Sequence, residues 1–267
     1  MRLISDFLFP WRQREILYQF VLRDIHARYR QSIFGLLWLV LTPLLTLAVY
    51  TLVFRFIFQS RWDMGDAGTM AFAFRLFVGL SLFSFFSDCL MRAPRLIVDQ
   101  PNLVKKVVFP LPLLIWTQAI SALVQLLLAL SLLFVGLWIE SGAVPWSMLG
   151  APFIIIPVFY LVLGIAWCLA SLGVYLRDLQ QVIGLALSLM LFLTPIFYPL
   201  SALPAAWQEW MQWNLLAYWI ETLRLFIFSA SWPEPIHYML MCGISLAIAT
   251  LGALTFYKVQ EGFADVL

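Results

Sequence analysis

An all-α polytopic membrane protein is the fold class this sequence predicts, and three observations carry that reading. Six apolar stretches are each long enough to cross a bilayer, the chain is 63% hydrophobic and only 11% charged, and its lysines and arginines sort onto alternate connecting segments. The candidate spans are residues 34–58, 70–91, 111–138, 148–176, 179–200 and 236–257. A helix needs about 20 apolar residues to cross the hydrocarbon, and every stretch meets that length. Composition excludes a water-soluble fold. A net charge of +2 is too small to imply a nucleic-acid partner.

Orientation follows from the basic residues. With the N-terminus in the cytoplasm, six spans return the C-terminus there. The cytoplasmic segments then hold Arg2, Arg12, Arg14, Arg23, Arg28, Arg30, Arg92, Arg95, Lys105, Lys106, Arg177 and Lys258. The outer side and the outer span ends keep only Arg55, Arg61, Arg75 and Arg224. Both termini are expected in the cytoplasm. No apolar run followed by a small-residue cleavage site precedes the first span, so no signal peptide is expected.

Residues 11–33 read as an amphipathic helix lying on the membrane surface. Tyr18, Val21, Leu22, Ile25 and Tyr29 recur on one face at helical spacing, and Glu15, Gln19, Arg23, His26 and Arg30 fall on a separate arc, the pattern of an interfacial helix. Such a helix serves either as a topology anchor or as a docking surface for a cytoplasmic partner. The second cytoplasmic segment, 92–110, is bracketed by Pro94, Pro101 and Pro110. Its second piece, 102–109, predicts a short helix capped by Asn102, with Lys105 and Lys106 near the end where the dipole favours cations. Between the fourth and fifth spans the only charges are Arg177 and Asp178, a turn with room for contact but not for a domain.

On the outer side, 139–147 is short, whereas 199–235 is long and rich in aromatics. Two helical pieces, 204–213 and 216–228, are too short to cross and too apolar to float free, so they read as re-entrant or interfacial helices. Trp207, Trp210, Trp213, Tyr218 and Trp219 form either a membrane-interface belt or a set of ring faces on which sugars stack. Pro43, Pro152, Pro157 and Pro195 interrupt the spans, and proline lets a helix bend. Glu221 and Arg224 are expected to pair locally at i,i+3.

Enzymatic chemistry is hard to place. The three lysines follow Val104, Lys105 and Tyr257, so the Gly-Lys-Ser/Thr loop that cradles nucleotide phosphates is missing. His26 and His237 lie on opposite sides of the membrane by this topology and share no metal. The cysteines Cys89, Cys168 and Cys242 sit in apolar segments without ligand spacing and read as packing residues. Neither a Gly-x-Ser-x-Gly elbow nor a carboxylate pair at glycosidase-like spacing is evident.

Four stretches then carry a resemblance. The run 17–38, LYQFVLRDIHARYRQSIFGLLW with Pro43 shortly after, together with NLVKKVVFPLP at 102–112, YLRDL at 175–179 and TPIFYP at 194–199, resembles the permease subunits of ABC transporters that export bacterial polysaccharides: O-antigen, capsule and teichoic acid. One departure is Asn214-Leu215-Leu216, where the family commonly has Asn-Pro-Leu. The resemblance implies six spans per subunit, a homodimer in the bacterial inner membrane, and a separate nucleotide-binding subunit in two copies. ATP and Mg would be bound there, and no cofactor in this chain. It implies that the surface helix and the 102–109 piece contact that subunit, which makes Asn102, Lys105, Lys106, Arg177 and Asp178 the candidate coupling residues. The implied substrate is a polyprenyl-pyrophosphate-linked glycan. Its head group needs cationic partners at the cytoplasmic face, with Arg28, Arg30 and Arg92 as candidates. The outer helices would gate the exit, with Tyr198, Trp207, Trp210, Tyr218 and Trp219 along the glycan path. Two rivals stand beside this reading: an ABC permease for drugs or lipids, and a polytopic membrane glycosyl- or acyltransferase. The latter needs an acidic or histidine cluster at one membrane face, which the sequence does not offer.

Overall fold

The computed structural model describes residues 9–29, 32–53, 69–105, 109–142, 150–229 and 231–267. Among them the chain is helical with no strand. We number the α-helices α1 (Arg14–Tyr29), α2 (Trp38–Leu52), α3 (Thr69–Arg92), α4 (Pro101–Lys105), α5 (Pro112–Ser141), α6 (Ala151–Tyr175), α7 (Leu179–Leu193), α8 (Ala205–Gln212), α9 (Leu215–Ser229), α10 (Pro235–Val259) and α11 (Phe263–Val266). Four of these, α3, α5, α6 and α10, lie in segments long and apolar enough to cross a membrane, while α2 and α7 are apolar but shorter. Arg30, Arg55, Arg61 and Lys106 lie outside the described residues.

Proline sets several boundaries. Pro101, Pro112 and Pro235 open α4, α5 and α10, and Pro152 sits in the first turn of α6. There the missing N–H costs nothing and the fixed φ suits a helix, so Pro152 starts a helix rather than interrupting one. Pro43 and Pro157 do fall inside helices. Pro195 ends α7. Its ring forces the preceding residue out of the helical region, and Thr194 sits at φ −82°, ψ 140°. The expected span 179–200 is therefore helical only to Leu193. Its 15 residues rise about 22 Å at 1.5 Å each, short of the roughly 30 Å hydrocarbon.

The centre of the bundle is α6. It packs on α10, α5, α3 and α9 and on the 3₁₀ turn Ala93–Arg95, and Val158, Val162, Leu163 and Trp167 on it are completely buried. Its crossing with α10 is made by small residues. A Cβ on Gly252 would strike the backbone of Gly164, and a Cβ on Gly164 would strike Ile248 and Ala249. Ser245, Ala249 and Ala253 complete the buried stripe on α10. Between apolar helices in lipid, such close backbone approach supplies the dispersion contact that association depends on.

On α1 the polar arc of Glu15, Gln19, Arg23 and His26 is exposed, Val21 is buried and Leu22 and Ile25 are half-buried, while Tyr18 is 61% exposed. The side facing the bundle holds Leu17, Phe20 and Val21, followed by Asp24 and Arg28. The helix is laid against α5, and Asp88 on α3 draws Arg28 inward, so charge pairing adds to the apolar contact. One sequence expectation is corrected here: Asn102 does not cap α4. Pro101 takes the first helical position, and Gln100 supplies the carbonyl that the Leu103 N–H reaches at 3.1 Å.

Candidate functional site

At the end of the bundle where α3 finishes and α5 begins, three elements meet on one carboxylate. Arg28 Nη1 of α1 donates to Asp88 Oδ2 at 3.0 Å, and Arg92 Nε lies 3.1 Å from Asp88 Oδ1. Arg28 also faces Asp24 at 3.3 Å, an ion pair without hydrogen-bond geometry. The Arg28 side chain is 11% exposed and that of Asp88 28%. From α5, Gln118 Nε2 donates to the carbonyls of Asp88 at 3.2 Å and Cys89 at 2.8 Å, so the last turn of α3 is held from both neighbouring helices.

The pieces expected to face a partner gather at this same end. Phe20 of α1 stacks at 4.9 Å on Phe109, just beyond α4, and the Arg23 guanidinium lies 4.2 Å over the Phe20 ring. The C-terminal turn α11 packs on α4 and α6 through Phe263, which is buried against Tyr175 and Phe256. Gly173 of α6 lies so close to Pro94 that a Cβ would strike the Pro94 backbone. Asn102, Lys105, Arg177 and Asp178 are all exposed. Arg28 and Arg92, candidates for a pyrophosphate head group, are instead joined on Asp88. With Asp24 the four charges sum to zero.

At the opposite end lies a second constellation that the sequence did not suggest. Arg224 is 2% exposed. Besides the expected pair with Glu221 at 2.6 Å, it donates to Pro195 O at 2.6 Å, Ile196 O at 2.8 Å and Arg75 O at 3.0 Å. The proline break frees carbonyls that no helix can satisfy, and one planar guanidinium takes up two of them. Burial lowers the Arg224 guanidinium from its ordinary value, and the Glu221 carboxylate opposes that. Gly79 leaves the room: a Cβ there would sit 2.6 Å from Arg224 Nη2. Tyr198 adds a further clasp, its hydroxyl donating to Phe192 O at 3.0 Å and Leu193 O at 3.2 Å.

The outer aromatics divide. Trp207 and Trp210 on α8 are 55% and 77% exposed. Tyr218 is half-buried, its ring 4.9 Å from His237. Trp219 is fully buried between Tyr218 and Tyr238, so it offers no ring face within this subunit and leaves the glycan-path set as a core residue. Asn214 settles the departure from the Asn-Pro-Leu pattern. Its Oδ1 accepts from the N–H groups of Leu216 at 3.1 Å and Ala217 at 3.2 Å, a side-chain cap of α9 that works with leucine at the first helical position.

Between α2, α3 and α5 lies a crevice of about 130 Å³ with hydroxyl and amide groups on otherwise apolar walls, among them Thr42, Thr46, Ser81, Ser84 and Gln125. It begins one helical turn from Asp88 on α3 and one turn from Gln118 on α5.

A helical bundle with several helices of membrane-crossing length, an ion-paired surface helix at one end and a pinned, aromatic helical hairpin at the other is the build of a multi-pass membrane protein. The chain belongs to the ABC-2 type transporter family, whose profile matches residues 16–228. It is 28% identical over 258 residues to the O-antigen export system permease protein RfbA of Myxococcus xanthus, covering 96% of each chain. Two RfbA proteins of Klebsiella pneumoniae are each 25% identical, covering 92% of each chain.

Proposed function

We propose that this chain is the membrane subunit of an ATP-driven exporter that carries a lipid-linked polysaccharide of the O-antigen kind across the bacterial inner membrane. The observation that carries the reading is the end-to-end similarity to three O-antigen export permeases. In this reading two copies assemble with two copies of a separate nucleotide-binding subunit that holds ATP and Mg. Each copy has six spans and keeps both termini in the cytoplasm, with α2 and α7 as the first and fifth spans. The gathering of α1, α4, α11 and the Arg177–Asp178 turn at one end supports docking of the ATPase subunit there, with Asn102, Lys105, Lys106, Arg177 and Asp178 as contacts. Tyr198, Trp207, Trp210 and Tyr218 stand at the exit.

The head-group role of Arg28, Arg30 and Arg92 has less support, because a pyrophosphate would have to displace Asp88 from two of the three. Binding of lipid-linked glycan to an Arg28→Ala/Arg92→Ala protein that inserts normally tests it, and unchanged affinity rejects it.

The test of the whole reading is co-purification with the nucleotide-binding subunit, followed by ATP hydrolysis and transport assays with polyprenyl-pyrophosphate-linked glycan. Glycan-dependent ATP turnover and export support it. A complex that responds to drugs or phospholipids and not to glycan replaces it with the drug or lipid permease.

A further inference from the structure

We propose that Asp88 is the positioning residue through which movement of the interface helix α1 enters the membrane bundle, by way of Arg28. The inference rests on the exporter reading above, since it supposes an ATPase subunit that moves α1. Three observations converge on this carboxylate.

The first is its connectivity. Arg28 of α1 and Arg92 of α3 occupy different oxygens of Asp88, at 3.0 Å and 3.1 Å. Gln118 of α5 holds the carbonyls of residues 88 and 89. A displacement of Arg28 therefore pulls on α3 through the carboxylate, while α5, against which α1 is already laid, is tied to the same turn of α3 by two backbone bonds. The second is burial. The Arg28 side chain is 11% exposed, and separating a guanidinium from its carboxylates in such a place is costly, so α1 and α3 are held to move together. A solvent-exposed pair would give way instead.

The third is where the packing is loose. Close-packed interiors pass strain without yielding. Here the crevice of about 130 Å³ between α2, α3 and α5 opens one turn beyond Asp88 and Gln118. Ser84 and Phe85 of α3, and Ala122 and Gln125 of α5, form part of its walls. The last turn of α3 is thus gripped by α1, and the next turns have space to shift against α2. The grip and the free space together make a lever: force arrives at Asp88 and motion is permitted just beyond it.

The experiment uses the full permease–ATPase complex in proteoliposomes, with ATP and polyprenyl-pyrophosphate-linked O-polysaccharide from the expressing strain. Asp88→Asn keeps the shape of the side chain and removes the charge that both arginines share. The variant complex is expected to assemble and hydrolyse ATP, while glycan exported per ATP falls about tenfold, within the usual range of coupling free energies. Arg28→Ala should match it, Arg28→Lys should recover part of the loss, and the Arg28→Ala/Asp88→Asn double variant should be no worse than either single one. A second readout needs no glycan: ATP-induced change in amide exchange should reach α1, α5 and the last turn of α3 in wild type, and should no longer reach α3 in Asp88→Asn.

Export per ATP at the wild-type level, or an α3 response that survives Asp88→Asn, overturns the proposal. So does loss of assembly in both Asp88→Asn and Arg28→Lys, which would make the cluster purely architectural. A wild-type complex that exports no glycan yet passes the ATP-induced change from α1 to α3 through Asp88 counts against the exporter reading and leaves the lever standing.

Discussion

Replacing Arg224 by alanine is the perturbation with the largest expected consequence for a single side chain. The guanidinium holds Pro195 O, Ile196 O and Arg75 O at 2.6, 2.8 and 3.0 Å, and the Glu221 carboxylate at 2.6 Å. Removing one partner of a buried ion pair costs about 3–5 kcal/mol because the other charge is stranded. Glu221 keeps some solvent contact, its side chain being 28% exposed, which lowers that figure. The two carbonyls left orphaned at the break, Pro195 O and Ile196 O, raise it, at about 1–3 kcal/mol for each buried unsatisfied group, whereas Arg75 O lies inside α3 and keeps its own helical partner. A net loss of about 5 kcal/mol results, shared between the α7 break and the seat of α9. With each kcal/mol shifting a domain of this size by roughly 2–4 °C, the heat-aggregation midpoint in detergent should fall by about 10–20 °C. Arg224→Lys should retain the Glu221 pair and one carbonyl, losing about half as much, because an ammonium lacks the planar fork. Gly79→Ala should act in the same direction by pushing Nη2 aside. The assay is recovery of monodisperse protein by size exclusion after stepwise heating. An Arg224→Ala midpoint within about 2 °C of wild type refutes the claim that this guanidinium pins the break.

Four further outcomes follow from the packing. Gly252→Leu should force α10 off α6 and cost several kcal/mol, at least the roughly 1–3 kcal/mol of ordinary overpacking, seen as a lower heat-aggregation midpoint; Gly243→Leu, with open space around it, is the matched control. Trp219→Ala should destabilise by about 3–5 kcal/mol, as for buried aromatics generally. Trp210→Ala should leave the midpoint near wild type and slow export if that ring lies on the glycan path, and equal export by a well-inserted Trp207→Ala/Trp210→Ala protein removes both from the path. Asn214→Ala should lose the α9 cap, about 1 kcal/mol, detectable as increased amide exchange at Leu216 and Ala217 with little change elsewhere.

Several element boundaries follow one-residue rules, although Pro152 reads from hydropathy as interrupting a span that it in fact opens. Proline at the first turns of α4, α5 and α10 and glycine at the end of α5, where Gly142 has φ +67°, mark starts and stops by backbone sterics alone. The outer pieces at 204–213 and 216–228 came out within a residue or so as α8 and α9. The Glu221–Arg224 pair was readable from i,i+3 spacing. The Asp88–Arg92 pair obeys the same kind of spacing rule, four residues apart on one helix, but only Arg28, 60 residues away in the chain, makes that carboxylate a junction. On α1 periodicity separated the exposed polar arc from Val21, but it measures apolarity alone and gave no sign that Asp24 and Arg28 turn inward beside it.

By itself the sequence determined the environment, the class and the family resemblance. Hydropathy depends on transfer of side chains from water, charge bias acts loop by loop, and proline and glycine act on their own backbone, so all three operate within a few residues. The tertiary structure decided what joins residues far apart in the chain: Arg28 to Asp88, Arg224 to the broken end of α7, Gly164 to Gly252, and the removal of Trp219 from the exit set. Each of these depends on which helix faces which, and at what depth. Crossing helices choose that by packing small residues and satisfying stranded polar groups, a negotiation among several segments that no single segment records.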